Sequence, residues 1–536
     1  MKQTYTDIDT DALDALIKRV AQAKEHDLAL TPDDCQLLLD ALLTLASMQE
    51  HLASNKVTIG KLRKLVGMVK SSEKLQSSLA QNRAKKSGKK KRNNNANASA
   101  KVKPEIKHHK MTDVAKGDNC PQCDNGKLYK YEPATLLRIV GQSPFQPEQH
   151  VMERLRCNTC GAYFTAPLPA DVMDDGPARQ KYGYSARSIM VIAKYGMGSP
   201  FYRQGSLQDL LGVPITASTI FDQTEACSNH IYPVFKYLLK LASDAHHYYL
   251  DDTTNRILDL KSVEKKRRNS NKMQTRTGVY TSGVIASIQG GHQLTLFETN
   301  IGHAGEFIDS ILLHRKNSLP PPILMCDGLT SNRPTVTHVE LSLCNSHARR
   351  QFYDLLSLFP EQVEHVITRY SEIWQRETHI EEQQLDDAAR LNYHQTHSLP
   401  VMEEILHWGQ ALLRGDQELS AVEENSSLGK AIRYFIKHYD GLIKFCRIEG
   451  AALDNNLMEA QLKLVVRNRK NAQFHKTLAG ASIGDVITSL IATSAAAGIN
   501  AFDYFNVLQR EHVKVAENPE HYLPWNYQQN QEITQS

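Results

Sequence analysis

At His246 the residue pattern changes from helical to strand-like, and the order of the elements beyond it limits the fold more than any other stretch of the chain. Tyr248 to Thr253, Thr277 to Ser287 and Gln293 to Thr299 read as β-strands. Gly305 to Arg315 reads as a helix, and Pro322 to Cys326 and Val339 to Leu343 as short strands, the first of them buried. Three strands, a helix and two more strands predict a mixed α/β sheet. From Phe352 to Phe445 the chain is long, charged and helical in pattern, with no strand signal. A helical insertion over about residues 352–450 is therefore expected inside a sheet domain of residues 244–510, with a C-terminal tail at 511–536.

The chain is organised differently before the sheet. Residues 1–75 are helix-forming, and Thr31-Pro32-Asp33-Asp34 supplies an N-cap, a proline at the first helical position and an acidic first turn. Leu38, Leu45, Leu52, Ile59 and Val66 recur every seven residues, but the companion positions include Asn55 and the small Ala41. Both a dimerising coiled coil and an ordinary helical hairpin fit that seam. Residues 76–115 form a basic, low-apolar linker. Within it Lys85, Lys86, Lys89, Lys90, Lys91 and Arg92 carry more positive charge than the formal net +4 of the whole chain. Such a tract is a solvated spacer or an arm that lies on a phosphate backbone.

Cys120-Pro121-Gln122-Cys123 and Cys157-Asn158-Thr159-Cys160 define a segment of residues 116–170. Two such pairs put four thiolates within reach of one tetrahedral Zn²⁺, and Gly161 permits a tight turn after the second. Redox use needs only one pair, so the doubled spacing favours structural zinc. Residues 171–243 are helical, with breaks at Gly196, Gly198 and Pro200 and again at Gly212-Val213-Pro214. A helix from about Phe201 and a second capped near Thr216 could form a helix-turn-helix offering Ser218, Thr219 and Gln223 to DNA; many helical hairpins look alike.

Three carboxylates stand at telling positions: Asp251 on the first strand, Asp327 at the end of Pro322 to Cys326, and Glu459 early on the helix after the insertion. Oxygen donors of this kind hold Mg²⁺, and three acids can hold two ions for phosphodiester displacement. Asp251 and Asp252 face opposite sides of a strand, so only one can be a ligand; Asp251 is chosen. Asp327-Gly328 suits a strand end, and Asp454-Asn455-Asn456 starts the helix that bears Glu459. Lys463, Arg467 and Lys470 follow Glu459 on one helix face, forming a basic rail. His347 with Arg349 and Arg350 follows a strand and could position phosphates or water; Lys261, Lys265, Lys266, Arg267 and Arg268 make a basic loop between the first two strands. Taken singly, each of these has a bland reading as a capping or solvated group.

Leu62-Arg63-Lys64-Leu65 leading to Ser72-Glu73-Lys74-Leu75, the double Cys-x-x-Cys, Leu250-Asp251-Asp252-Thr253, Cys326-Asp327-Gly328, Cys344-x-x-His347-Ala348-Arg349-Arg350 and Asp454-Asn455-Asn456-x-x-Glu459 followed by Arg469-Lys470-Asn471 occur in that order. Together they resemble the transposases of the bacterial insertion sequence 66 family over about residues 59–510. The resemblance implies an α/β, ribonuclease-H-like DDE catalytic core with a helical insertion, preceded by an N-terminal helical, coiled-coil-like region that binds DNA and a zinc-binding segment. It carries Asp251, Asp327 and Glu459 over as the metal-binding triad for two Mg²⁺, or Mn²⁺ in its place. The sequence departs from the usual family residues at Asp252, Thr254, Leu329, Asn345 and Ala460, which marks a divergent branch.

The implied activity is cleavage and strand transfer at the element's terminal inverted repeats. Its partners are double-stranded DNA of element ends and target, a second protomer or more, and accessory proteins of the same element. The rivals are a catalytically inactive, transposase-derived DNA-binding protein and a nuclease of the same core without strand transfer. Composition, 41% hydrophobic and 23% charged, excludes wholesale disorder, a collagen-like repeat and a disulfide miniprotein. Nine cysteines are too sparse for a secreted framework, and the start Met1-Lys2-Gln3-Thr4 lacks a signal-peptide core. The most apolar stretch, Val486 to Ile499, is broken by Thr488, Ser489, Thr493 and Ser494, so no membrane span is expected. A bacterial cytoplasmic protein, nucleoid-associated when on DNA, is the expectation.

Overall fold

The computed structural model describes residues 16, 19–20, 22–23, 29–38, 115–119, 121, 127–128, 143–156, 158, 163–266, 273–415 and 422–527. Nearly all of the heptad run, the basic tract at 85–92 and all four paired cysteines lie outside the described residues. The chain divides into two compact units, Met1–Lys86 with Ser346–Glu449, and Ser87–Asn345 with Gly450–Ser536.

The second unit holds the sheet. It opens with a short antiparallel ribbon, β1 (Arg154–Arg156) and β2 (Tyr163–Thr165). Helix α1 (Tyr184–Val191) runs into a π-helical turn at Ile192–Gly196, and α2 (Phe201–Leu210) starts after Pro200. Thr216 Oγ1 then accepts from the Thr219 backbone N–H and starts α3 (Ala217–Ser243). Ile220, Cys227, Ile231, Val234, Leu238 and Ala242 form a stripe at helical spacing along α3 and are all buried. Gln223, one of the side chains a helix-turn-helix would offer to DNA, accepts from Arg187 Nε of α1 at 2.8 Å. The pair at residues 201–243 is thus built into the scaffold along the buried face of α3.

Five strands make the main sheet: β3 (His247–Asn255), then, after a hairpin of β4 (Val263–Lys266) and β5 (Met273–Arg276), β6 (Val279–Ser287), β7 (Gln293–Asn300), β8 (Ile323–Cys326) and β9 (Glu340–Leu343). Their order is β7-β6-β3-β8-β9. The pairs among β7, β6 and β3 are antiparallel, and β3, β8 and β9 run parallel. Helix α4 (Ala304–Leu312) separates β7 from β8, giving the crossover that a parallel neighbour requires. The stretch expected to be a basic loop is corrected in part: Val263–Lys266 is a strand, paired with Met273–Arg276 in its own two-stranded sheet.

At Asn345 the chain enters α5 (Asn345–Tyr353), and the unit beyond it is helical throughout its described residues: α6 (Pro360–Gln383), α7 (Asp387–His397), α8 (Leu399–Arg414) and α9 (Ser427–Leu442). Pro360 occupies the first turn of α6, Asp386 caps α7 through the Ala389 N–H, and Ser426 caps α9 through the Gly429 N–H. Its buried His394 is satisfied by Glu377 Oε2 at 2.8 Å and Ser398 Oγ at 3.0 Å, the ordinary arrangement for an interior histidine.

Back in the sheet unit come α10 (Asn456–Ala472), α11 (Leu478–Ala496), α12 (Ala501–Arg510) and α13 (His512–Glu517). By length and composition α11 could cross a membrane, but its polar residues show that it is a core helix. Thr493 Oγ1, Ser489 Oγ and Asp485 Oδ2 lie one turn apart and accept the N–H groups of Thr295, Phe297 and Thr299 on the edge strand β7, at 3.1, 2.9 and 2.7 Å. A helix thus satisfies a strand edge that would otherwise template aggregation. Residues 511–527, expected to belong to a tail, also fold. Helix α13 packs on α3, where the His512 ring stacks on His230 at 4.4 Å, and Tyr504 donates its hydroxyl to the Tyr522 carbonyl.

Candidate active site

The β3–β8 register decides where two of the acids meet. His247, Tyr248 and Tyr249 pair in parallel with Ile323, Leu324 and Met325, and the same register carried two residues further sets Asp251 opposite Asp327. Alternation along β3 sends Tyr249 and Asp251 to one face and Leu250 and Asp252 to the other. Asp252 is engaged on its own face: its Oδ2 lies 3.0 Å from His303 Nδ1 and accepts from the Ala304 N–H at the start of α4. Asp327 Oδ1 accepts from the Leu329 N–H at 3.1 Å and from Asn332 Nδ2 at 2.8 Å, which fixes the carboxylate at the strand end.

Helix α10 brings the third acid. Asn455, fully buried just before the helix, donates Nδ2 to the Leu250 carbonyl at 3.0 Å, and its N–H points at Cys344 Sγ at 3.2 Å. The buried side of α10, Met458 and Leu462, packs on Ile285 and Phe297. Gly283, the cross-strand partner of Asp251, makes that approach possible, because a Cβ there would stand 2.3 Å from Met458 Cε and 3.1 Å from Phe297 Cε1. Glu459, next to Met458, lies in the first turn of the helix. At the other end Arg469 Nη1 donates to Thr253 Oγ1 at 2.8 Å and Thr254 Oγ1 at 3.0 Å on β3. Lys194 Nζ, from the π-helical turn, donates to Asn468 Oδ1 at 2.8 Å, and Asn471 Nδ2 to the Gly198 carbonyl at 2.9 Å.

The charges of the other two acids act on Asp251. Burial pushes the Asp251 carboxyl up to about 8; the Asp252 N–H opposes the rise, and the charges of Asp327, Glu459 and Asp252 add to it. Crowded oxygen donors whose charges repel are the chemistry a hard divalent cation relieves, so the donor set is compatible with such an ion.

The other residues expected at the site are spread over both units. Lys463, Arg467 and Lys470 are exposed along α10, with Arg467 also donating to the Gly196 carbonyl. In the helical unit Arg350 is exposed and His347 partly so. Arg349 departs from the expectation of a DNA contact: it is only 6% exposed, with its guanidinium 5.9 Å from the ring centroids of both Tyr353 and Trp374. A buried, stacked guanidinium serves the helical packing. Asn455, Asn332, Gly283 and the reach of Arg469 to β3 escaped the sequence reading. Asn455 and Arg469 stood in quoted motifs, but neither motif pointed to these contacts.

The model of the family described as Transposase IS66 family matches residues 179–483, a span that contains Asp251, Asp327 and Glu459 and follows the four cysteines. Among curated proteins, the chain is 25% identical to the uncharacterized protein y4jD of Sinorhizobium fredii (strain NBRC 101917 / NGR234) over 426 residues, 76% of this chain and 78% of that protein. It is 22% identical to the uncharacterized protein y4hP of the same strain over 435 residues, 76% of this chain and 73% of that protein.

Proposed function

Because the chain belongs to the IS66 family of transposases, we propose that it binds the terminal inverted repeats of its element and catalyses metal-dependent strand cleavage and strand transfer. The observation that carries this reading is the convergence of Asp251, Asp327 and Glu459 from two parallel strands and a helix start, close enough for the charges of two to raise the carboxyl of the third. In this reading the sheet, ordered β7-β6-β3-β8-β9, is a ribonuclease-H-like core, and the three acids hold Mg²⁺. When bound there, divalent cations activate an attacking hydroxyl and stabilise the leaving oxygen of the phosphodiester.

The chain's own part is positional. Leu329 and Asn332 hold Asp327, Asn455 ties the start of α10 to the residue before Asp251, and Lys463, Arg467 and Lys470 offer phosphate contacts on the helix that bears Glu459. Water is the first nucleophile and the freed 3′-hydroxyl the second. Two ends are processed together, so at least two protomers assemble on DNA, with accessory proteins of the element as further partners. The reading also keeps Cys120, Cys123, Cys157 and Cys160 as structural zinc ligands. Support comes from two antiparallel pairings, Asn119 with Lys127 and Arg156 with Tyr163, each flanking one Cys-x-x-Cys.

The test is Mg²⁺-dependent cleavage of labelled duplex carrying the element's own ends, comparing the protein with Asp327→Ala and supplying a 3′-hydroxyl end. Cleavage that falls by more than about 100-fold in the variant, with joined product from the unaltered protein, is expected. Cleavage without joining points to a nuclease. DNA binding with no cleavage, even with the element's neighbouring gene products added, points to an inactive DNA-binding relative.

A further inference from the structure

Among the described residues the ribbon β1–β2 is the least buried strand pair in the sheet unit, and its two faces differ in chemistry. All six of its residues are exposed. The register pairs Arg154 with Thr165, Leu155 with Phe164 and Arg156 with Tyr163. Arg154, Arg156, Tyr163 and Thr165 therefore share one face, while Leu155 and Phe164 share the other at 60% and 63% exposure. Of the acids in the adjoining described stretch, Glu153 falls by alternation on the Leu155 side, and Glu148 lies 3.5 Å from His150. The arginine face of the ribbon itself carries no acid.

On that face Tyr163 organises the guanidinium groups. Arg154 Cζ lies 4.5 Å from the ring centroid and Arg156 Cζ 5.4 Å from it, so one phenol ring holds two guanidinium groups near each other. A guanidinium stacked on an aromatic keeps its planar fork of donors free for a phosphate and has less side-chain freedom left to lose on binding. Two guanidinium groups held close together on an exposed, acid-free face match a sugar–phosphate backbone as the occupant.

We propose that the Arg154, Arg156 and Tyr163 face of this ribbon grips the phosphate backbone of duplex DNA. The inference rests on the transposase reading for its partner and adds a contact surface to it, well separated in sequence from the three acids. The contact is to backbone and not to base edges, so it contributes affinity and register with little sequence preference.

The experiment is fluorescence anisotropy of the full chain on two short labelled duplexes, one carrying the element's end and one unrelated, over a series of salt concentrations. The double variant Arg154→Gln with Arg156→Gln is expected to weaken binding to both duplexes alike. It should also flatten the slope of log K against log salt by about 2, close to 0.9 for each phosphate that is no longer neutralised. Tyr163→Leu gives a smaller reduction of the same kind, and Glu153→Gln, on the opposite face, gives none. Equal melting temperatures establish that the variants are folded, and the two single arginine variants, each flattening the slope by about 0.9, replace the double one if it is not. Unchanged slope in arginine variants of a protein that binds duplex overturns the ribbon assignment and leaves the transposase reading standing. Failure of the unaltered protein to bind either duplex overturns both.

Discussion

Asn455 donates its side-chain amide to the carbonyl of Leu250, the residue immediately before Asp251, and so couples the start of α10 to strand β3 at 3.0 Å. Glu459 stands one turn further along the same helix. The hydrogen bond is buried and joins segments about two hundred residues apart in sequence, so it sets where the helix acid stands relative to the strand acid. Asn455→Ala is expected to cost about 1–3 kcal/mol of stability, the usual loss when a buried hydrogen bond is removed. Cleavage should fall further than the melting temperature explains; equal losses in both would reduce Asn455 to a purely structural role.

A second expectation concerns the cation. Without divalent metal, Asp327→Asn removes one of the like charges that act on Asp251 and should leave the protein as stable as before, or slightly more so. Adding Mg²⁺ should raise the melting temperature of the unaltered protein, because a ligand that binds only the folded state stabilises it by mass action. The variant should show little of that rise. A full Mg²⁺ shift in Asp327→Asn would remove Asp327 from the metal-binding set.

Gly283 gives a steric prediction. Its missing side chain leaves the space that Met458 Cε occupies, with Phe297 close on another side. Gly283→Ala forces a buried methionine to move and should destabilise by about 1–3 kcal/mol, as overpacking does. Shortening the methionine should recover part of that loss, so Gly283→Ala and Met458→Ala are expected to be non-additive in urea unfolding. Additive losses would mean that the two sites do not share the space.

Asp485 predicts a pH dependence whose sign can be worked out. It is buried, its carboxyl is pushed up to about 7 by desolvation, and hydrogen bonds from the Thr299 N–H and hydroxyl oppose the rise. The ordinary value is 3.8, so between about pH 4 and pH 7 the folded state holds a proton that the unfolded state has lost. Its contribution to stability is complete below that window, falls as pH rises through it, and is flat above. Asp485→Asn keeps an acceptor for the Thr299 N–H and should flatten the profile. The variant should then be the more stable protein at pH 8 and not at pH 4, as read from urea midpoints. A profile as steep as that of the unaltered protein would place the pH dependence elsewhere.

The sequence was informative where short-range chemistry decides the outcome. The β-favouring residues from Tyr248 to Thr253 marked a strand, helical spacing from Ile220 to Ala242 marked α3, and Thr216 marked its start, because residue type, side-chain periodicity and capping are local properties. The hairpin at 263–276 was harder to see, since its charged residues look like any solvated loop until their partners across the ribbon are known. Arg349 looked like a surface charge beside Arg350, and only packing stacked it against Tyr353 and Trp374. The polar breaks in α11 were visible as Ser489 and Thr493, but their purpose was not, because the N–H groups they satisfy belong to a strand nearly two hundred residues earlier.

The sequence by itself determined the order of the main-sheet strands and their crossover helix, the acids' positions along the chain and the resemblance that names the family, since each depends on residues near one another along the chain. Tertiary structure alone decided that the parallel pairing of β3 with β8 brings Asp327 near Asp251, that Gly283 makes room for the helix bearing Glu459, and that α11 covers the edge of β7. These are matters of register and close approach between segments far apart in sequence, set by which packing satisfies the most buried groups at once.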